Sequence, residues 1–160
     1  MKAIKYTLIA ITMVALTSVS SCSFFEGTAK HREKGTPIAA TKPAVDKILA
    51  NIEDNEDKRY SITGYLHFSA STSVYTSRPQ YVEVYAHPGD RSAIATIEMH
   101  WRENGNNSVF VPQDGGRDET KTIFYDNEGK PFSMSDKVTI SFSVSDQSPD
   151  LVETRFDRAI

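Results

Sequence analysis

The side chains in this chain that could do chemistry are four histidines, one cysteine, scattered carboxylates and a set of aromatic rings. None of His31, His67, His87 and His100 stands at metal-ligand spacing from another, and His31-Arg32-Glu33-Lys34 departs from the His-Glu-x-x-His zinc pattern. No Gly-x-Ser-x-Gly turn presents a serine nucleophile, and Gly115-Gly116 is a lone pair in a polar loop rather than a phosphate cradle. The expectation is therefore no catalytic residues, no metal ligands and no cofactor. Asp114, Asp118, Glu119 and Asp126 carry the oxygen ligands calcium requires, but their spacing fits no calcium loop, and a solvated acidic loop is the expected reading. Glu83 and Glu98 are candidates for a carboxylate pair across strands, which ordinary exposed strand positions explain as well. The one constellation that suggests a ligand is aromatic. Tyr65, Tyr81, Tyr85 and Trp101, with His67, fall on positions read as facing away from the core, and stacking platforms of this kind bind sugars or bases. Core filling and strand propensity are the competing account of the same rings.

Composition narrows the ligand. At 160 residues the chain has room for one ordinary domain, and 18 Lys and Arg against 21 Asp and Glu leave a net charge of -3. A general nucleic-acid binder shows a strong basic excess, so nucleic acid is not an expected partner. A single cysteine rules out an internal disulfide and a cysteine-based zinc finger.

That cysteine has a context. Lys2 and Lys5 precede an apolar run from Tyr6 to Leu16, followed by small and polar residues up to Ser21. This is the order of a secretory signal: basic, apolar, then small residues before a cut. The apolar run is too short for a permanent membrane span. Val19-Ser20-Ser21-Cys22 resembles the lipobox of bacterial lipoproteins, in which an aliphatic and two small residues precede the modified cysteine. The resemblance implies cleavage before Cys22, a thioether-linked diacylglycerol and an acylated amino terminus. Several acyl chains anchor a protein stably where one chain is marginal. Loss of Lys2 and Lys5 with residues 1–21 leaves 16 cationic residues against 21 acidic ones, a net charge of -5. Ser23, where such lipoproteins carry Asp for inner-membrane retention, implies sorting to the outer membrane of a two-membrane cell.

The elements that must position the aromatics come next in the chain. Residues 22–42 read as the lipidated cysteine and a flexible tether, in which Phe24 and Phe25 with Lys30, Arg32 and Lys34 either meet the membrane interface and its anionic headgroups or, equally, belong to a solvated linker with no lipid preference. Val45, Ile48, Leu49 and Ile52 make the apolar stripe of one short amphipathic helix over 43–57. From Tyr60 the period changes to two, and residues 58–160 read as a mainly β domain. Strands are expected at Tyr60–Phe68, Gln80–His87, Ser92–Met99, Ser108–Val111, Thr120–Tyr125 and Val138–Ser145. Gly64 suggests a bulge or sharp coil in mid-strand, and Gly129 a turn with positive φ. The hydroxyl face of the last strand (Thr139, Ser141, Ser143, Ser145) reads as exposed.

Ile62-Thr63-Gly64-Tyr65-Leu66, with Thr122 to Gly129 and Ser135-Asp136-Lys137-Val138-Thr139-Ile140, resembles phrases of OB-fold domains across residues 58–145. The chain is similar in this to the small OB-fold-like lipoproteins of bacterial envelopes. The resemblance implies a small OB-like β-barrel. A polar segment, 103–119, stands where OB folds place a helix between strands three and four, so a lipocalin-like barrel and an Ig-like sandwich remain open.

The expected function is that of a non-enzymatic, lipid-anchored binding or docking module of the cell envelope, with the membrane and an envelope protein or glycan as partners. The alternatives are a carbohydrate-binding module that uses the aromatics and an inhibitor of a secreted hydrolase. Growth on a labelled fatty acid tests the anchor directly. The native chain is expected to incorporate label and Cys22→Ala to incorporate none; label on the alanine variant would overturn the assignment.

Overall fold

The structure is a computed structural model that describes residues 34–56, 58–68, 80–112 and 119–159. Residues 1–33, with Cys22, lie outside the described residues. The described residues build nine strands: β1 (Thr36–Pro37), β2 (Tyr60–Phe68), β3 (Gln80–Tyr85), β4 (Ala95–Trp101), β5 (Ser108–Phe110), β6 (Ile123–Tyr125), β7 (Pro131–Phe132), β8 (Val138–Ser145) and β9 (Ser148–Arg158). Two short helices, α1 (Lys42–Leu49) and α2 (Ile52–Asn55), precede β2.

Five of these strands close into a barrel. β2 pairs antiparallel with β3 and β3 with β4; β4 meets β9 in parallel; β9 pairs antiparallel with β8, and β8 returns to β2. The mainly β class and the small barrel are as expected, and a five-stranded ring is neither an eight-stranded barrel nor a two-sheet sandwich. Alternation builds the interior. Ile62, Leu66 and Phe68, Val82 and Val84, Ile97 and Met99, and Val138, Ile140, Phe142 and Val144 point inward and are fully buried. Each such side chain contributes about 1.5–3 kcal/mol of burial free energy.

β2 is the shared strand. Its first half, Tyr60 to Gly64, pairs with β8, and its second half, Tyr65 to Phe68, pairs with β3. Gly64 sits at the switch, where a Cβ would collide with the carbonyl oxygen of Tyr85. Glycine is thus required by close backbone approach where the strand changes partner, a different reason from the expected bulge or sharp coil. The edge of β2 that β3 leaves open is taken by β1, through Thr36 N–H to Arg59 O at 2.8 Å and Ile38 N–H to Ser61 O at 2.9 Å.

The excursion between β4 and β8 replaces the helix that an OB fold would carry there. β5, β6 and β7 form a small sheet whose Phe124 stacks between Phe68 of the barrel (6.0 Å) and Phe132 (5.4 Å). Gly129 has φ 73 in the β6–β7 turn, and the Asp126 carboxylate accepts the N–H groups of Glu128 (2.8 Å) and Lys130 (2.9 Å). Asp126 is therefore spent on that turn.

Several expectations change. The tether does not run to residue 42 as free chain, because residues 35–38 are bonded to β2. The single helix over 43–57 is two helices that break at Ala50–Asn51, where the Asn51 amide turns back to Lys47 O at 2.9 Å. Val138–Ser145 is not the last strand, since β9 follows. The hydroxyl face of β8 is not exposed: Ser141 and Ser143 are buried, Ser143 beneath Arg59 and Glu153, to which it hydrogen-bonds at 3.1 and 3.2 Å.

Gly64→Ala is the sharpest test of this arrangement. It is expected to lower unfolding free energy by about 2–3 kcal/mol, because the new methyl group must displace backbone rather than a side-chain tip. Urea denaturation of the variant against the native chain measures it, and an unchanged midpoint would contradict the close approach.

Candidate functional site

The outer faces of β2, β3 and β4 carry three of the four expected aromatics. On β3, Val82 and Val84 point into the barrel, so Tyr81, Glu83 and Tyr85 point out. The antiparallel register sets Tyr65 directly opposite Tyr85, His67 opposite Glu83, and Tyr81 opposite Glu98. Directly opposed positions hold their Cβ atoms about 4.5–5.5 Å apart, so register alone makes these residues neighbours. The His67 ring meets Tyr85 edge-on at 6.1 Å, and the Tyr85 hydroxyl donates to Glu83 Oε2 at 2.6 Å. Tyr65 and Tyr85 are half-buried, whereas Tyr81 keeps 48% of its surface exposed. Among the described residues it is the one large apolar side chain exposed to this degree.

Trp101 does not belong to the set. It shares the strand parity of Ile97 and Met99 and packs on Phe110 of β5 at 5.5 Å, with its indole nitrogen buried. The signal was in the sequence, since Trp101 stands two residues beyond Met99 on an alternating strand. Glu83 and Glu98 do not face each other either: Thr96 is opposite Glu83, and Glu98 is opposite Tyr81. The carboxylates instead each serve a tyrosine, an arrangement that the spacing of Glu83 and Tyr85 on one strand face foreshadows.

Electrostatics follow from that pairing. The Tyr85 phenol is pushed above its ordinary value of 10.0 chiefly by the hydrogen bond to Glu83, with burial and the Glu83 charge adding to it. Tyr81 is raised by the Glu98 carboxylate first, then by burial and by Asp150. Both rings are neutral phenols at physiological pH, set in a locally acidic surface. Such a face offers stacking area and hydrogen-bond acceptors. It suits neutral or cationic ligands and disfavours anionic ones.

Elsewhere the candidates stay apart. His67 hydrogen-bonds at Nδ1 to its neighbour's carbonyl (Phe68 O, 2.7 Å), and His87 sits in an exposed turn where its N–H donates to Asp90 Oδ2 at 2.9 Å. Asp114 and Asp118 of the acidic loop, like His31, lie outside the described residues. Among the described residues, no three His, Cys, Asp or Glu side chains gather where a metal ion would be held. No helix of the described residues is long and apolar enough to cross a membrane.

Fold and face together define a small closed five-stranded barrel with an aromatic, carboxylate-rimmed outer surface. Compared with protein-family models, curated proteins and solved structures, the chain matches none of them.

Titration checks the two tyrosine–carboxylate pairs. A phenol whose folded pKa is raised contributes stability in full below its unfolded value and loses it as pH rises through the folded value. Stability is thus expected to decline above pH 10.0, with both tyrosines ionising late. Glu83→Gln should bring Tyr85 down toward its ordinary value without moving Tyr81, and Glu98→Gln the reverse. An NMR titration in which neither substitution moves its partner would refute the assignment.

Proposed function

We propose that the protein is a non-enzymatic binding module, held on the cell envelope by lipid at Cys22, that docks a partner on the outer face of its β2–β3–β4 sheet. The observation that carries the reading is Tyr81. A ring that leaves half its surface in water, on a rigid strand whose outer face also carries Tyr85, is the kind of anchor that interfaces bury. The OB-like ring order supports the same face, because barrels of that type bind ligands across their second and third strands, here β3 and β4. Ser23 after the lipidated cysteine supports sorting to the outer membrane.

A second reading has its own support. An exposed ring flanked by carboxylates, Tyr81 with Glu98 opposite it, is also how a sugar face is stacked while its hydroxyls are hydrogen-bonded. The ligand is then a glycan of the envelope rather than a protein.

A photoreactive phenylalanine derivative, which keeps an aromatic ring at position 81, introduced there in cells with Glu53 on α2 as the control position, separates the readings. Recurrent crosslinks to one protein from position 81 alone support docking, and crosslinks to glycan alone support the sugar module. Absence of crosslinks, or the same products from both positions, would overturn the choice of face. Tyr81→Ala is expected to weaken binding about tenfold or more, as loss of a central aromatic anchor does.

A further inference from the structure

A cleft of about 470 Å³ opens on the outer face of β2, β8 and β9, lined by Lys34, Thr63, Lys137, Thr139, Asp157, Arg158 and Ala159. Its floor is one cross-strand row, Thr63 on β2, Thr139 on β8 and Asp157 on β9, in direct register. The three cations stand around that row. Lys34 is placed by the pairing of β1 with β2, and Lys137 by its carbonyl, which accepts the Ala159 N–H at 3.0 Å.

The charges do not cancel. Asp157, the one carboxylate among the described residues that line the cleft, is occupied at both oxygens by Arg155, through Nε at 2.7 Å and Nη2 at 2.8 Å. Arg158 lies 4.0 Å from Asp136, beyond hydrogen-bond distance, and the other Asp136 oxygen is taken by Ser133. Neither Lys34 nor Lys137 forms an ion pair among the described residues. Around a matched carboxylate the cleft thus holds two unpaired lysines and an arginine only loosely paired with Asp136. The floor adds a donor: Thr63 and Thr139 share one hydrogen bond at 3.1 Å, which uses one hydroxyl proton and leaves the other free.

We propose that this cleft binds a phosphate group, with the Lys34, Lys137 and Arg158 side chains as charge partners and the Thr63–Thr139 pair as neutral donor. The shared chemistry is a phosphate monoester or diester, whose source is either a lipid headgroup or a free phosphate-bearing molecule. A nucleic-acid backbone needs a longer basic track than three cations supply. Because the cations are exposed, a single phosphate is held weakly, with a dissociation constant of roughly 1 mM. A surface that presents many phosphates raises the effective concentration and strengthens the contact. The site shares no residue with the Tyr81 face and stands or falls independently of it.

The full-length chain carrying Cys22→Ala, so that no lipid of its own contributes, is titrated with inorganic phosphate by NMR. It is then sedimented with pure phosphatidylcholine vesicles and with vesicles containing phosphatidylglycerol. Amide shifts at Thr63, Lys137, Thr139 and Arg158, about tenfold weaker in Lys137→Glu/Arg158→Glu, support the site. Phosphatidylglycerol-dependent sedimentation that the same double variant abolishes assigns the phosphate to a lipid headgroup. Phosphate shifts without that dependence assign it to a free ligand. The neutral Lys137→Gln/Arg158→Gln chain, with its melting curve, separates loss of charge from loss of fold. Phosphate shifts absent or spread evenly over the surface, or a double variant that binds as the native chain does, would overturn the proposal.

Discussion

The barrel depends on its weakest seam. Four of the five strand contacts that close the ring are antiparallel ladders, but β4 and β9 meet at one paired position, Ile97 with Leu151. Past that point β9 runs on to Arg158 while β4 turns away to pair with β5, and an unprotected edge would be left. Side chains close it instead. Antiparallel geometry turns both backbone groups of a residue to the same side. The Phe156 N–H goes to Asn107 Oδ1 at 3.0 Å, and its carbonyl accepts the Asn127 N–H at 2.8 Å. The two asparagines are joined by Asn107 Nδ2 to Asn127 Oδ1 at 2.9 Å. Asn107 holds this position with φ 48, a left-handed conformation that asparagine tolerates better than most residues. The pair does for β9 what a sixth strand would do. It also ties the β5–β7 excursion to the ring, which lets Phe124 reach Phe68. On the near side of the seam, Val45 of α1 enters the core beside Ile94 and Leu151.

With the ring closed, β2 becomes the member that sets both surfaces. Its odd-numbered residues face out along a strand that changes partner at Gly64, so successive outward side chains belong to different neighbourhoods. Thr63 looks toward β8 and β9, where the cations stand, and Tyr65 toward β3, where the tyrosines stand. One coiled strand thus separates an acidic aromatic face from a basic cleft by a single alternate position. A larger side chain at residue 64 would straighten neither half without moving the other.

How much of this the sequence carried depends on whether a signal was local. β2 and β8 show strict alternation of apolar and polar residues, and both run over the expected 60–68 and 138–145. β9 gave no such pattern. Its apolar residues Leu151, Val152 and Phe156 break the period because the ladder with β8 is irregular near Ser143 and Glu153 takes φ 49. A bulged strand shifts the inward parity partway along, so a period-2 reading misses it. β1 is invisible for another reason: its two residues are held by backbone bonds alone. The phosphate cleft is assembled from residues 34, 63, 137–139 and 157–159, and no spacing within one segment could announce it. The tyrosine face was legible because three of its members alternate on two strands, and the same alternation puts Trp101 with Ile97 and Met99 on the other side of β4.

The two surfaces make different demands on a tethered domain. Screening at physiological ionic strength confines exposed charges to about 8 Å, so a net charge of -3 does not decide what the cleft meets; its own three cations do. On the reading that Cys22 carries lipid, the tether ends at Lys34, which is already a member of the cleft. The chain therefore enters the barrel beside its basic site. A headgroup bound there would draw the β8–β9 side toward the membrane, and the acidic Tyr81 side would be repelled by the same surface. Local charge of opposite sign on two neighbouring patches of one small ring, with β2 common to both, gives the domain a preferred orientation with no further contact. That orientation leaves the aromatic face in the solvent, where a partner can reach it.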